Sequence, residues 1–237
     1  MTAQAILEKL HLDRNQTVID AACGTGIVTE ELLRLHSPTV IGIDIAEDAL
    51  AKYKSRFANC DKITAIRGNL EAIDTFVDNP VDGIILSSAL WNFRWQDFFP
   101  RARSVLRERG YVAWNIPAAY LGEGCGFLYD IAQAFSKEPT AKRKLFSMNE
   151  RELQEVLRSS LAGQVEKYAY RFAMTPDSLR NLFRVFRLRA PFVSFDDSVP
   201  LDERQRTSDK VLKSLLEQWS QTGHEEVGYV YVARKNR

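Results

Sequence analysis

The chain has 237 residues, of which 45% are hydrophobic and 27% charged, and 32 Lys and Arg stand against 31 Asp and Glu for a formal net charge of +1. That length builds a core without staples, and that composition is ordinary for a globular chain, which excludes a disordered or fibrous class. The neutral balance removes the electrostatic argument for a general nucleic-acid or anionic-membrane binder, while leaving room for a local basic patch.

The first stretch, MTAQAILEKLHLDRN, carries Glu8 and Asp13 and lacks a long apolar core, so it does not read as a signal peptide. It leaves an extension of only about 16 residues before the first strand signal. No apolar run is long enough to cross a bilayer. Cys23, Cys60 and Cys125 are widely spaced and form no CxxC pair, so no metal site is expected. A protein of the cytoplasm follows from these signals as an expectation.

From residue 17 to residue 117, short Val/Ile-rich runs alternate with helix-like stretches. Strands are expected at Thr17–Ala21, Thr39–Ile43, Lys62–Ile66, Val81–Leu86 and Gly110–Ile116. These runs lack clean polar alternation, which suits strands buried on both faces of a parallel sheet. Helices are expected at Ile27–Leu35, Glu47–Phe57 and Asp97–Arg107, where apolar residues such as Val28, Leu32 and Leu35 recur at helical spacing. The alternation predicts a doubly wound α/β fold.

Pro117 and the GEGCG stretch at 122–126 break this pattern. Two helices, Phe127–Ser136 and Asn149–Ser159, are expected next, joined by a basic AKRK. A strand at Val165–Met174 precedes a helix that starts at Thr175-Pro176-Asp177 and runs to about Leu188. A further helix over roughly Glu203–Gln221 and a strand at Val227–Ala233 close the chain. The whole reads as one domain, residues 1–237, with 118–163 as a helical insertion and lid and Gly122, Gly124 and Gly126 as its hinge.

The sharpest motif is Val18-Ile19-Asp20-Ala21-Ala22-Cys23-Gly24-Thr25-Gly26, between the first strand and the first helix. Small residues there let a backbone approach a ligand, and the helix that follows offers free N–H groups. A dinucleotide fingerprint needs a third glycine where Thr29 stands, and Asp20 at the strand end would repel a pyrophosphate. Asp44 ends the second strand, where a carboxylate can accept both hydroxyls of a ribose. That placement suits a nicotinamide cofactor and a methyl donor equally. Asp44 could also simply cap the helix near Ala46.

The stretch resembles motif I of the class I S-adenosylmethionine-dependent methyltransferases. The resemblance covers residues 17–117 and, more weakly, the terminal strand. It implies a seven-stranded sheet, mostly parallel with an antiparallel last strand, and S-adenosyl-L-methionine as cofactor with S-adenosyl-L-homocysteine as product. Ala22 replaces the family's first glycine. By position, Asp20 would sit under the methionine amino group, and Gly24 and Gly26 would let the main chain pass beside the ligand. Ile45 would pack on the adenine. Asn69, where the family often has an acidic residue, would accept from the adenine amino group, with Leu70 beside it. Ser87 opens the Ser87–Asn92 loop after the fourth strand, the family's methyl-transfer face.

The acceptor side is less marked. Ser87-Ser88-Ala89-Leu90 holds no strong base, so the acceptor either is already nucleophilic, as a carboxylate is at neutral pH, or is deprotonated by a residue from 118–172. His11, His36 and His224 read as surface residues. Trp91, Trp95 and Tyr120 are the candidate pocket aromatics, while Phe98, Phe99 and Trp114 read as core. Arg180, Arg184 and Arg187 share one helix face, which is either solvated or a patch for an acidic partner such as an acyl carrier protein. The organisation is similar to that of malonyl-carrier O-methyltransferases and of many small-molecule methyltransferases. The expected function is therefore methyl transfer to a small organic acceptor, a carboxylate or a carrier-linked acyl group, with no nucleic-acid or membrane partner and either a monomer or a dimer. Two alternatives stay open: an NAD-type oxidoreductase, and a non-catalytic ligand-binding module on the same fold.

Overall fold

The computed structural model describes residues 2–121, 123, 126–138, 141–143, 148–161, 163–186, 193–195, 198–219 and 224–236. Among them, the order is α1 (Thr2–Leu7), β1 (Thr17–Ala21), α2 (Ile27–Leu35), β2 (Thr39–Asp44), α3 (Glu47–Arg56), β3 (Ile63–Arg67), β4 (Val81–Leu86), α4 (Trp95–Val105) and β5 (Leu106–Pro117). There follow α5 (Phe127–Phe135), β6 (Ala141–Arg143), α6 (Glu150–Leu161), β7 (Val165–Met174), α7 (Pro176–Phe186), β8 (Val193–Phe195), α8 (Leu201–Gln218) and β9 (His224–Arg234). Short 3-10 helices cover Leu70–Thr75, Leu90–Asn92 and Ala118–Leu121.

Seven strands form one sheet in the order β3-β2-β1-β4-β5-β9-β7. β1 pairs in parallel with both β2 and β4, and β4 pairs in parallel with β5. The Lys235 N–H donates to the Gly110 carbonyl and the Arg234 N–H to the Gln164 carbonyl. These two bonds bring the end of β9 beside the starts of β5 and β7, so the last strand runs antiparallel to both neighbours. The α/β class and the sheet expected from the sequence are both present. Strand order reverses between β1 and β4, and a doubly wound sheet opens its ligand crevice at such a point, outside the carboxyl ends of the strands.

The chain divides into two compact units, Met1–Ile116 with Asn149–Tyr170 and Tyr229–Arg237, and Pro117–Met148 with Arg171–Gly228. In the first unit, Ala3, Ile6, Leu7 and Leu10 join Val28 and Leu32 of α2 over Val18, Val40, Ile85, Ala113, Val230 and Val232 of the sheet. Trp114 is fully buried and stacks on Tyr231, and Phe98 and Phe99 are buried beside it, all in the core as the sequence suggests. Six residues are too few for helical periodicity to stand out, so α1 went unread; its stability comes from packing, as short helices require.

The second unit is built around Phe135, which stacks on Phe183 at 6.1 Å and meets Phe195 edge-on at 6.2 Å. Here Ala141–Arg143 is not a loop between helices. It pairs antiparallel with Val193–Phe195, a strand too short to show a period of its own. Residues 118–163, expected as one insertion, divide between the units: 118–148 go with the second and 149–163 with the first. Asn149 caps α6 by accepting the Arg151 and Glu152 N–H groups, and Thr175 caps α7 by accepting the Ser178 N–H. Gly126 lies against the Glu226 carboxylate, where a Cβ would come within 2.2 Å of an oxygen, so close approach explains this glycine better than a hinge does. Gly122, Gly124 and Cys125 lie outside the described residues. Arg180 forms an exposed ion pair with Asp177, while the Arg184 side chain and Arg187 lie outside the described residues.

Candidate functional site

The glycine loop is organised by two carboxylates. Asp44, at the end of β2, accepts the Gly24 N–H at 2.8 Å through one oxygen and the Ala46 N–H at 2.8 Å through the other. The first bond ties β2 to the loop after β1, and the second makes a local turn ahead of α3, whose N-cap is Ala46 rather than Asp44 itself. Each carboxylate oxygen keeps a second lone pair for a ligand hydroxyl.

Asp20 takes a different part from the one expected. It is 1% exposed, and one of its oxygens accepts the Thr29 N–H at 3.1 Å and the Thr29 hydroxyl at 2.7 Å. Gly26 at the N-cap of α2 has no side chain to satisfy the first turn, so Asp20 reaches up from β1 to do so. Burial raises its pKa from 3.8 to about 7, against the lowering effect of the Thr29 bonds. Tyr53 adds a hydroxyl 2.9 Å from that of Thr29, which locks α3 to α2.

A cavity of about 410 Å³ opens at the carboxyl ends of β1 to β4. It is lined by Ala22 after β1, Asp44 and Ile45 after β2, Gly68 to Glu71 after β3, and Ser87 to Ala89 with Asn92 and Phe93 after β4. Six of the expected cofactor residues therefore meet there: Ala22, Asp44, Ile45, Asn69, Leu70 and Ser87. Ile45 is 65% exposed, an apolar side chain at a cavity mouth.

Asp20, Gly24 and Gly26 are not part of that lining. Gly24 contributes its N–H to Asp44, and its backbone turns left-handed at φ +54°. Gly26, at φ +90°, is required by packing: a Cβ there would sit 2.4 Å from the Phe57 ring. Ala22 also takes a left-handed conformation, φ +57°, so the chain accepts strain where a glycine would have none. The Asn69 amide oxygen accepts the Glu71 N–H at 3.0 Å, capping the Leu70–Thr75 turn, so it is already engaged on the main chain. Glu71 lines the cavity beside it, a residue the sequence reading passed over; its position two residues beyond Asn69 in the same turn was the available signal.

The aromatic candidates divide. Trp95 is buried at the start of α4 and serves the core. Trp91 is half-buried in the Leu90–Asn92 turn, and its neighbours Asn92 and Phe93 reach the cavity where it does not. Tyr120 is buried in the second unit, and burial pushes its hydroxyl pKa up. His11 is exposed, and the His224 side chain lies outside the described residues. Among the described residues no His, Cys, Asp or Glu cluster could hold a metal ion, and no helix is long and apolar enough to cross a membrane.

Comparison with known proteins places this geometry. Residues 18–110 match the family model described as a methyltransferase domain. The S-adenosylmethionine-dependent methyltransferase UmaA of Mycobacterium tuberculosis is 29% identical over 117 residues, 48% of this chain and 41% of that protein. The chain thus spans about two fifths of the length of the curated relatives it first matches. Among solved structures, the YcgJ protein of Bacillus subtilis superposes with a TM-score of 0.67 at 12% identity, covering 100% of this chain and 98% of that one. Phosphoethanolamine N-methyltransferase 2 of Haemonchus contortus, in complex with S-adenosyl-L-methionine, gives 0.61 at 15% identity over 99% of this chain and 52% of that one. At these identities the two structures speak for the fold, and the family model speaks for the 18–110 segment that carries the loop and Asp44. Residues 18–110 thus match a methyltransferase domain, and the chain is similar there to S-adenosylmethionine-dependent methyltransferases.

Proposed function

We propose that the chain binds S-adenosyl-L-methionine in the cavity at the ends of β1 to β4 and transfers its methyl group to a small organic acceptor. The observation that carries this reading is the cavity's charge. Among the described residues its lining holds two carboxylates, Asp44 and Glu71, the second 3.9 Å from the Arg94 guanidinium, and no Lys, Arg or His. Such a lining suits a ligand with hydroxyls and a cationic centre and opposes a pyrophosphate, which counts against the nicotinamide alternative. The residues also fit the donor by type. The Asp44 lone pairs face hydroxyl donors, Ile45 offers an apolar surface for a flat ring, and Asn69 offers an amide N–H once its oxygen is engaged.

When bound, the donor supplies an electrophilic methyl group. The chain's own task is to orient the two reactants and to exclude water, which is where most of the rate enhancement of an in-line displacement can arise. No lining residue is a strong base, so the reading favours an acceptor that is nucleophilic without proton removal, such as a carboxylate, either free or borne by a carrier-linked acyl group.

Calorimetry with S-adenosyl-L-homocysteine and with NAD tests the ligand: the first should bind and the second should not. Radiolabelled methyl transfer to a panel of carboxylic acids and acyl thioesters then tests catalysis. Donor binding without turnover on any acceptor would favour the non-catalytic alternative. For a carboxylate acceptor, kcat at saturating donor should stay flat from about pH 6 to about pH 9, and a steep rise would point to a base.

A further inference from the structure

A second cavity, of about 220 Å³, lies at the opposite end of the sheet. Its lining comes from the segment after α1, from Asp82 at the start of β4, from residues 108–111 of β5 and from Arg234 at the end of β9. All of these residues belong to the first unit. The cavity lined by Asp44 opens beyond the carboxyl end of β4, so one strand length, about 17 Å, separates the two.

β5 is bulged at this place. Val81 pairs with Leu106 and Gly83 with Tyr111, so residues 107–110 stand opposite the single Asp82. Such a bulge re-aims side chains. Within it Arg109 holds a left-handed backbone at φ +63°, where glycine would be unstrained. Asp82 is used by the fold: its carboxylate accepts the Thr17 N–H at 2.7 Å and the Arg107 guanidinium at 2.7 and 2.8 Å. The Arg109 and Arg234 guanidiniums, by contrast, have no ion-pair or hydrogen-bond partner among the described residues.

Tyr111 supplies an independent observation. It packs across Gly83 so closely that a Cβ on that glycine would collide with its ring and its hydroxyl. The residue is 4% exposed, and its hydroxyl has no hydrogen-bond partner. A buried phenol left unpaired is costly, and phenylalanine would fill the same space without that cost. Burial and the Asp82 charge raise its pKa against the opposing effect of Arg234, so the hydroxyl keeps its proton and can donate. Glu108 and Arg109 are exposed at the rim, and Tyr111 is at the buried end.

We infer that this cavity binds the carboxylate of a small organic acid, with the Tyr111 hydroxyl and the Arg109 and Arg234 guanidiniums as its donors. The site is independent of the methyl donor. With Asp82 balanced by Arg107 and His11 neutral, the lining sets two guanidiniums against the Glu108 carboxylate. A single negative charge matches that balance. A phosphate monoester, at about −1.5 to −2, overshoots it beside Glu108 and Asp82. The volume is several times the ~30 Å³ share of one water, which leaves room for an acid of a few carbons.

The test titrates propionate and benzoate into the unaltered chain, up to about 20 mM at constant ionic strength, followed by ligand-observed proton NMR with inorganic phosphate as a competitor. Both carboxylates should bind, and phosphate should displace propionate less well than benzoate does. Tyr111→Phe removes only the hydroxyl. It should weaken carboxylate binding about five- to twentyfold while the thermal midpoint holds or rises, because no buried donor is left unpaired. Arg109→Gly removes a guanidinium and suits the left-handed backbone, so it should give a similar loss in a folded protein. Asp44→Ala, in the other cavity, should leave carboxylate binding within about twofold. Absence of binding, binding that survives both Tyr111→Phe and Arg109→Gly, or an equal loss in Asp44→Ala would overturn the inference. So would stronger displacement by phosphate, or a lowered midpoint in Tyr111→Phe, which would mean that the fold itself uses the hydroxyl.

Discussion

At the scale of single residues, two aspartates at adjacent strand ends are driven apart by their surroundings. Asp44 lies at the cavity with both oxygens bonded to main-chain N–H groups, while Asp20 is sealed beneath the loop. Asp44→Ala should weaken S-adenosyl-L-homocysteine binding by about 1.5–3 kcal/mol, roughly 10- to 150-fold, with the loss read by calorimetry. Asp44→Asn, which keeps one oxygen, should lose less. For Asp20 the sign follows from its raised pKa. The folded chain holds a proton up to about pH 7 that the unfolded chain releases near 3.8, so Asp20 stabilises most at low pH. Its contribution is lost as pH rises through that window, with a slope approaching about 1.4 kcal/mol per pH unit, and is flat above it. Asp20→Asn retains an acceptor for Thr29 and cannot titrate. Urea denaturation of this variant between about pH 4 and about pH 7 should show the slope removed, and an unaltered slope would refute the assignment.

At the scale of elements, the loop between β1 and α2 shows what residue type demands of backbone. Gly26→Ala combines a left-handed φ with a Cβ driven into Phe57, and should cost about 2–4 kcal/mol in chemical denaturation. Ala22→Gly works in the opposite direction. It relieves strain at φ +57°, offset in part by added freedom in the unfolded chain, so stability should hold or rise by up to about 1 kcal/mol. Strand and helix positions in residues 17–117 were readable because apolar runs and 3.6-residue stripes are local signals, and α2 and β4 fall where those signals place them. The third strand is placed one residue later, and α4 starts two residues earlier and ends two earlier, because frayed ends depend on neighbours rather than on pattern. Gly42 in β2 carried an unread signal. A strand-interior glycine marks close approach, and here Tyr53 crosses it so tightly that a Cβ would lie 2.4 Å from the ring.

At the scale of the whole molecule, the two units are interleaved along the chain. The first needs residues 149–170 and 229–237 to complete it, and these are reached only by passing through the second. β5, β7 and β9 each contain residues of both units. Calorimetric unfolding should therefore give a single transition, raised as a whole by S-adenosyl-L-homocysteine, and two separable transitions would contradict this. By itself the sequence determined the sheet class, the loop after β1, Asp44 and the residues after β3 and β4, because each is a local pattern of residue type and spacing. Tertiary structure decided what those side chains do. Whether a carboxylate faces a cavity or a helix N-terminus depends on which main-chain N–H groups the packing brings near it. Asp20 was thereby assigned to α2, the Asn69 oxygen to Glu71, and Trp95 to the core. Only tertiary pairing set Asn115 of β5 against Ser88 in the loop after the neighbouring β4, since no spacing along the chain encodes a hydrogen bond between residues 27 positions apart.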